Sequence, residues 1–293
     1  MFVSIVIPTY NRRNLLKLCL RSLVQQSYPE KRYEILVIDD GSTDGTLKLL
    51  RKLEKKIPNL FFYRGKGNGP GSARNIGIRK SEGEIVFFTD DDCELPKNWI
   101  ERFVDFYREH PGVGGVGGYL EADDKIIKSN IFAEYESYMS RLNYGLGETQ
   151  EYIGGFETPA GGTGNMSYKR EVLKEVGGFD ESFPVASGED ADLKMRIILN
   201  GHNIAYLPVK AIHHREYSLK DFICQNFARS VGEVFFKKKW EKTLRANKDK
   251  FGLEMKKGFL YRLIMDFRFE MILLFFLESL IKRFGKLRCR SEL

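Results

Sequence analysis

The 293-residue chain lacks an apolar run long enough to cross a bilayer. Its longest, Met271–Leu277, is seven residues, against the roughly 20 that a spanning helix needs. Cysteine is sparse and scattered. Cys19, Cys93, Cys224 and Cys289 form no C-x-x-C pair, which argues against a zinc ribbon or a disulfide framework and for reduced thiols. No G-K-[ST] tripeptide occurs, so phosphoryl transfer by a P-loop enzyme is excluded. At the N-terminus MFVSIVIPTYNRR offers only the short run FVSIVI before Pro8, too short for the apolar region of a signal peptide and already strand-like. No repeat or low-complexity tract is present.

A one-signed charge is also missing from most of the chain. Residues 1–220 hold 30 Lys/Arg against 31 Asp/Glu, net −1. That removes the basic folded face a nucleic-acid binder would present, and no nucleic acid is expected as a partner. Residues 221–293 hold 17 Lys/Arg against 9 Asp/Glu, net +8. The division places one domain over 1–220 and a basic, apolar-rich helical extension over 221–293.

What is present begins with alternation. FVSIVI (2–7), YEILVI (33–38), NLFFY (59–63) and EIVFF (84–88) read as strands, with helix patterns over 12–26, 44–56 and 70–80 between them. Strands alternating with helices predict parallel strands joined by crossover helices, an α/β sheet covered on both faces. PGVGGVGGYLEA (111–122) reads as a strand with close backbone approach rather than a phosphate loop. Helices are expected over 128–144, in REVLKEV up to Gly177–Gly178, and over 188–201; 203–218 reads as a strand pair running into His213 and His214.

Ligands of such sheets bind beyond the carboxyl ends of the strands, and there the acids collect. PTYNR follows the first strand, DDGSTDG the second and TDDDC the fourth. Asp39 or Asp40 could cap the helix after GSTDG. Three adjacent aspartates, Asp90, Asp91 and Asp92, are harder to explain so, because like carboxylates repel and resist desolvation without a cation among them. Hard oxygen ligands favour Mg²⁺ or Mn²⁺, and such an ion completes its shell with substrate phosphates and water. Arg74, in GPGSARNIGI, is a candidate phosphate partner on a helix opened by a Gly-Pro-Gly turn. In GEDADL, Glu189, Asp190 and Asp192 either furnish a base or merely favour the start of a helix.

Taken in order, IVIPTYNR, VIDDGSTDGT, ARNIGI, FTDDDC, GGFDE and GEDADL resemble family 2 glycosyltransferases of the GT-A fold, over about residues 2–218. The resemblance implies an inverting enzyme that moves a sugar from a nucleotide-diphosphate donor, expected to be a UDP-sugar, to a saccharide or lipid-linked glycan. It implies a Rossmann-like mixed sheet flanked by helices. Pro8, Thr9 and Tyr10 would line the nucleoside pocket, with Asp39 reading the base edge and Asp40 supporting the loop. Arg74 would lie near the nucleotide, and Asp90 and Asp91 would face ribose and sugar. Asp92 would ligate the metal, Mn²⁺ or Mg²⁺. Gly161–Asn165 and the GGFD turn would shape the sugar and acceptor side. Asp190, beside Glu189, would be the catalytic base. The family places a histidine after a YxPxA-type segment, and spacing from Pro208 points to His214 as the further ligand. The family's D-x-D is followed by another acid, whereas here Cys93 stands in that place.

Along 258–284 Arg262, Asp266, Glu270, Glu278 and Lys282 draw a polar stripe on an otherwise greasy helix, and VFFKKKW sets Phe235, Phe236 and Trp240 around three lysines. Large apolar residues beside basic clusters suit an interfacial helix. The tail is therefore expected to hold a cytoplasmic protein peripherally at the inner face of the cell membrane, the alternative being packing on its own domain or in a homodimer. Competing readings are a polyprenyl-phosphate glycosyltransferase, which usually lacks the GGFD…GED arrangement, a sugar nucleotidyltransferase, which would want a basic glycine-rich loop after the first strand, and a non-catalytic nucleotide-sugar binder.

Overall fold

The computed structural model describes residues 1–144, 150–246 and 269–292. The first four strands, β1 (Val3–Thr9), β2 (Tyr33–Asp39), β3 (Leu60–Arg64) and β4 (Ile85–Thr89), are parallel and lie in the order β3-β2-β1-β4. Helices α1 (Arg13–Leu23), α2 (Thr46–Glu54) and α3 (Pro70–Lys80) connect them, each within a few residues of its expected span. Both faces of β1 are buried. Val3, Ile5 and Ile7 pack with α1 and with α4 (Trp99–Glu109), whereas Val6 packs with Ala73 and Ile78 of α3. Apolar residues at successive positions are what a two-sided layer requires.

Beyond β4 the sheet becomes mixed. β5 (Cys93–Glu94), β6 (Val113–Ala122), β7 (Tyr152–Gly154), β8 (Asn165–Lys169) and β9 (Asn203–His213) continue the order as β4-β8-β6-β9-β5, with β7 also on β9. The glycines of β6 permit close approach, since a Cβ at Gly115 would lie 2.5 Å from the Tyr168 ring and one at Gly117 2.6 Å from Met166 Sδ. The expected strand pair over 203–218 is instead one 11-residue strand, β9. Pro208 cannot donate to a ladder, but it coincides with the register shift opposite Gly117–Tyr119, where no donor is demanded.

The expected helix over 128–144 is divided into α5 (Asp124–Ser129) and α6 (Ile131–Tyr144) by Asn130, whose side-chain oxygen accepts from the Phe132 and Ala133 amides. α7 (Arg170–Glu175) stops before Gly177 and Gly178, both left-handed, and α8 (Glu189–Leu199) supplies the GED segment. Helices α9 (Leu219–Ala246) and α10 (Phe269–Glu292) close the molecule, joined to α6 by a separate small core of Tyr135, Phe222, Met271, Leu274 and Ile281. The four cysteines are free thiols.

Candidate active site

The parallel strands β1, β2 and β4 end at one edge of the sheet, above a cleft of about 1290 Å³. Pro8, Thr9, Tyr10, Asp40, Arg74, Asp90, Asp91, Asp92, Glu189, Asp190 and His213 all line it. Pieces of sequence up to 205 residues apart thus converge because their strands are neighbours.

The three aspartates have protein counter-charges. Arg12, which sequence reasoning passed over, donates to Asp91 Oδ1 at 3.1 Å and to Asp92 Oδ2 at 2.7 Å. Arg74 donates to Asp90 Oδ1 at 2.8 Å and approaches Glu189 Oε1 at 3.4 Å. Two guanidiniums thus balance part of the charge of the acidic triplet. The only signal for Arg12 was its place three residues after β1, in PTYNR. Burial lifts Asp91 to about 6 against the pull of Arg12. Burial would raise Asp92 too, but the hydrogen bond and charge of His213, and then Arg12, bring it down to about 2.

The histidine beside Asp92 is His213, with Nε2 3.2 Å from Oδ1. The expected ligand, His214, instead meets Glu94 at 2.7 Å and lies outside the cleft lining. Strand geometry explains the correction. β9 pairs His213 with Cys93, and side chains alternate across a sheet, so the next residue faces the other way. Asp90, Asp92 and Cys93 offer ligand atoms within 4.8 Å of one another. Burial raises the Cys93 thiol well above its ordinary range, which leaves hard carboxylate oxygens with the borderline nitrogen of His213 beside them, a set that fits Mn²⁺ and, through its oxygens, Mg²⁺.

The carboxylates of DDGSTDG have separate tasks. Asp44, not Asp39 or Asp40, serves the start of α2, accepting from the Thr46 amide at 3.0 Å and hydroxyl at 2.6 Å. Asp40 accepts the Gly67 and Gly69 amides, each at 2.8 Å, and so ties the loop that opens α3 to the end of β2. Asp39 is fully buried and is not part of the cleft lining. One of its oxygens accepts the Ser42 amide, and the other has no protein partner.

At the far wall, α8 presents its first turn. Asp190 is half-buried and accepts the Ala191 amide at 2.8 Å; burial pushes its carboxyl up, as does burial together with the Asp190 charge at Glu189. A raised carboxyl is a stronger proton acceptor once ionised. Arg74 Nε and Glu189 Oε2 are buried without protein partners, polar capacity that a ligand could satisfy. The GGFD turn stands behind the cleft rather than in it. Its Phe179 backbone accepts from and donates to Asn75, and its ring lies 5.7 Å from the Arg74 guanidinium. Of Gly161–Asn165, the residues from 162 to 165 reach the lining.

The other half of the cleft is helical: Tyr135, Glu136 and Met139 from α6, Gln225 and Arg229 from α9, and Glu278 and Lys282 from α10. Arg229 holds both oxygens of Glu136, at 2.9 and 2.8 Å, and Tyr135 donates to Glu278. Glu278 is thus buried, not part of a solvated stripe; Arg262 and Asp266 of that stripe lie outside the described residues. VFFKKKW also departs from expectation, for it docks on its own domain. Trp240 Nε1 donates to Asp192 at 2.9 Å, Lys239 reaches Asp192 at 2.6 Å and Asp180 at 2.5 Å, and Phe235 and Phe236 pack on Phe183 and Phe156. Asp192 lies two residues beyond Asp190 and is fully buried, so α9 braces the helix that carries the candidate base.

The chain is similar to known proteins. A family profile, Glycosyl transferase family 2, matches residues 4–177. Glycosyltransferase AglE of Haloferax volcanii is 32% identical over 206 residues, 70% of this chain and 64% of that protein. The poly(ribitol-phosphate) beta-N-acetylglucosaminyltransferase TarS of Staphylococcus aureus is 29% identical over 228 residues, 72% of this chain and 35% of TarS. The chain therefore spans less than two thirds of either relative. Among solved structures, the mannosyltransferase PcManGT of Pyrobaculum calidifontis, bound to GDP-Man and Mn²⁺, aligns with a TM-score of 0.62 at 22% identity, covering 82% of this chain and 64% of that one. TarS in complex with UDP aligns at 0.56 and 24% identity, covering 89% and 75%. These likenesses establish a GT-A type fold.

Proposed function

The chain belongs to glycosyl transferase family 2, and we propose that it is an inverting glycosyltransferase that moves a sugar from a nucleotide-diphosphate donor to a saccharide or lipid-linked glycan. The observation that carries this reading is the meeting of Asp90, Asp91, Asp92, His213, Arg12 and Arg74 with Glu189 and Asp190 around one cleft. It is large enough for a donor and an acceptor together. Relatives are described as acting on poly(ribitol-phosphate) and on a dolichyl-linked sugar, and structural neighbours hold UDP or GDP-Man, which supports a nucleotide-sugar donor and a glycan acceptor of this kind. UDP is the nucleotide we assign.

In this reading Asp190 takes the proton of the acceptor hydroxyl as that oxygen attacks the anomeric carbon, opposite the departing diphosphate. Glu189 holds Arg74 beside Asp90, so that the guanidinium stays at the donor. Pro8, Thr9 and Tyr10 flank the nucleoside and Asp40 fixes the loop before α3; Asp39 lies outside the cleft lining, but its unpartnered buried oxygen is the acceptor we assign to a ring N–H of the base. Asp92 and His213 would hold a divalent ion, with Asp90 adjacent; bound there, such an ion neutralises charge on the leaving diphosphate. We place the enzyme peripherally at the inner face of the cell membrane, held through its C-terminal helices.

Thermal-shift measurements with UDP, GDP, dTDP and CDP, each with and without Mn²⁺, test the reading. The matching nucleotide raises the melting temperature by several degrees only with the ion, since stabilisation grows with concentration over Kd. Asp92→Ala abolishes the benefit of the ion. No shift with any nucleotide would sink the assignment.

A further inference from the structure

Helix α10 has two faces with opposite characters. At 3.6 residues per turn, Leu273, Phe276, Leu280, Phe284 and Leu287 fall along one side, and these five are 52–72% exposed. Glu278 and Lys282 fall on the opposite side and form part of the cleft wall. Five large apolar side chains in line, about 21 Å from first to last, make a contiguous patch rather than the scattered exposure usual on a soluble surface. Exposed Arg283 and Arg288 border it on either side. No helix among the described residues is long and apolar enough to cross a membrane, so this face suits lying on a bilayer rather than spanning it.

We propose that this face of α10 docks on an anionic lipid surface, and that docking sets the acceptor half of the cleft against that surface. The inference rests on the transferase reading for its consequence, though not for the contact itself. Charge identifies the occupant. The patch belongs to a segment of net +8 on a molecule otherwise near neutrality, and a lipid surface bearing phosphates satisfies both the apolar stripe and its arginine borders. Among the described residues the other basic and aromatic segment is VFFKKKW, whose Phe235, Lys239 and Trp240 are engaged with the catalytic domain, which favours α10 as the contact. Because one helix separates lipid from cleft, Glu278 and Lys282 lie within about 10–12 Å of the surface. The acceptor is then a glycan whose lipid anchor stays in the bilayer while its sugar end reaches Arg229, Glu136 and Asp190.

The test is sedimentation of the full chain with phosphatidylcholine vesicles, with and without phosphatidylglycerol. The parent pellets with the anionic vesicles and is released by salt. Leu280→Glu/Phe284→Glu lowers partition roughly ten-fold or more, yet keeps the melting temperature and the shift with UDP and Mn²⁺. Leu273→Gln/Phe276→Gln gives the same result by a milder change. The proposal is overturned if the parent stays in the supernatant with anionic vesicles, or if both double variants still pellet. It is overturned equally if sedimentation equilibrium shows a parent dimer that the variants dissolve, because a second copy then covers the stripe. Vesicle binding without any nucleotide-dependent shift upholds the lipid contact and counts against the transferase instead.

Discussion

On the sheet side of the cleft, Thr9, Arg12, Asp40, Asp90, Asp91 and Asp92 lie on or just beyond the ends of neighbouring strands, locked to one another, to Arg74 or to backbone amides within 2.7–3.1 Å. On the helical side, Glu136, Arg229 and Glu278 come from three helices spread over 143 residues of sequence, meeting through a small core of their own. The sheet side is built to hold charge in one place, as a polyanionic donor demands. The helical side places paired charges and Tyr135 around the space proposed for the acceptor, a lining that shares no strand with the sheet side.

The sharpest way to separate the two sides is at Asp190, where they meet. Asp190→Asn lowers transfer by about 10²–10⁴-fold, the range of general base catalysis, while the UDP-dependent thermal shift is retained. Full activity in that variant would leave the helical wall without a chemical role. Next in size is the choice between adjacent histidines. His213→Ala raises the Mn²⁺ concentration needed for nucleotide-dependent stabilisation by roughly 10- to 100-fold, and His214→Ala scarcely changes it. The reverse result would mean that β9 does not hold the register seen here.

Bracing by α9 is a smaller effect. Lys239→Met or Trp240→Phe leaves buried Asp192 short of a donor and lowers stability by about 1–3 kcal/mol, measured by urea unfolding. If α9 positions the base, kcat for transfer falls in these variants while the donor KM holds. A pure loss of stability with unchanged kcat would make α9 only a scaffold. The pH dependence is the mildest test. Burial raises the carboxyls of Glu189 and Asp190, and the base works ionised, so activity rises with pH through a midpoint above the usual carboxylate range. A midpoint near that of an exposed aspartate, read from a transfer–pH profile, would dissociate Asp190 from the proton transfer.

Much of this site was legible beforehand, for reasons that differ by residue. The strands announced themselves by apolar runs, and the rule that ligands gather beyond parallel strand ends singles out DDGSTDG and TDDDC from the sequence. Asp40 and Arg74 line the cleft, and both stand in segments that the sequence singles out. Arg12 was not legible, since nothing local says that its guanidinium meets carboxylates 79 and 80 residues later. VFFKKKW misled because phenylalanine, tryptophan and lysine suit a lipid interface and an acidic protein surface alike, and the deciding partners, Asp180 and Asp192, lie about 50 residues upstream.

Local chemistry is what a chain fixes by itself: periodicity, turn-forming residues and the order of acidic loops were enough to specify a covered parallel sheet with carboxylates at one rim. Which cation answers each of those carboxylates, which of two neighbouring histidines turns inward, and which greasy face is left bare were decided in three dimensions. Each depends on strand register or helix docking between distant segments, and electrostatic and packing energies follow distance in space rather than separation along the chain.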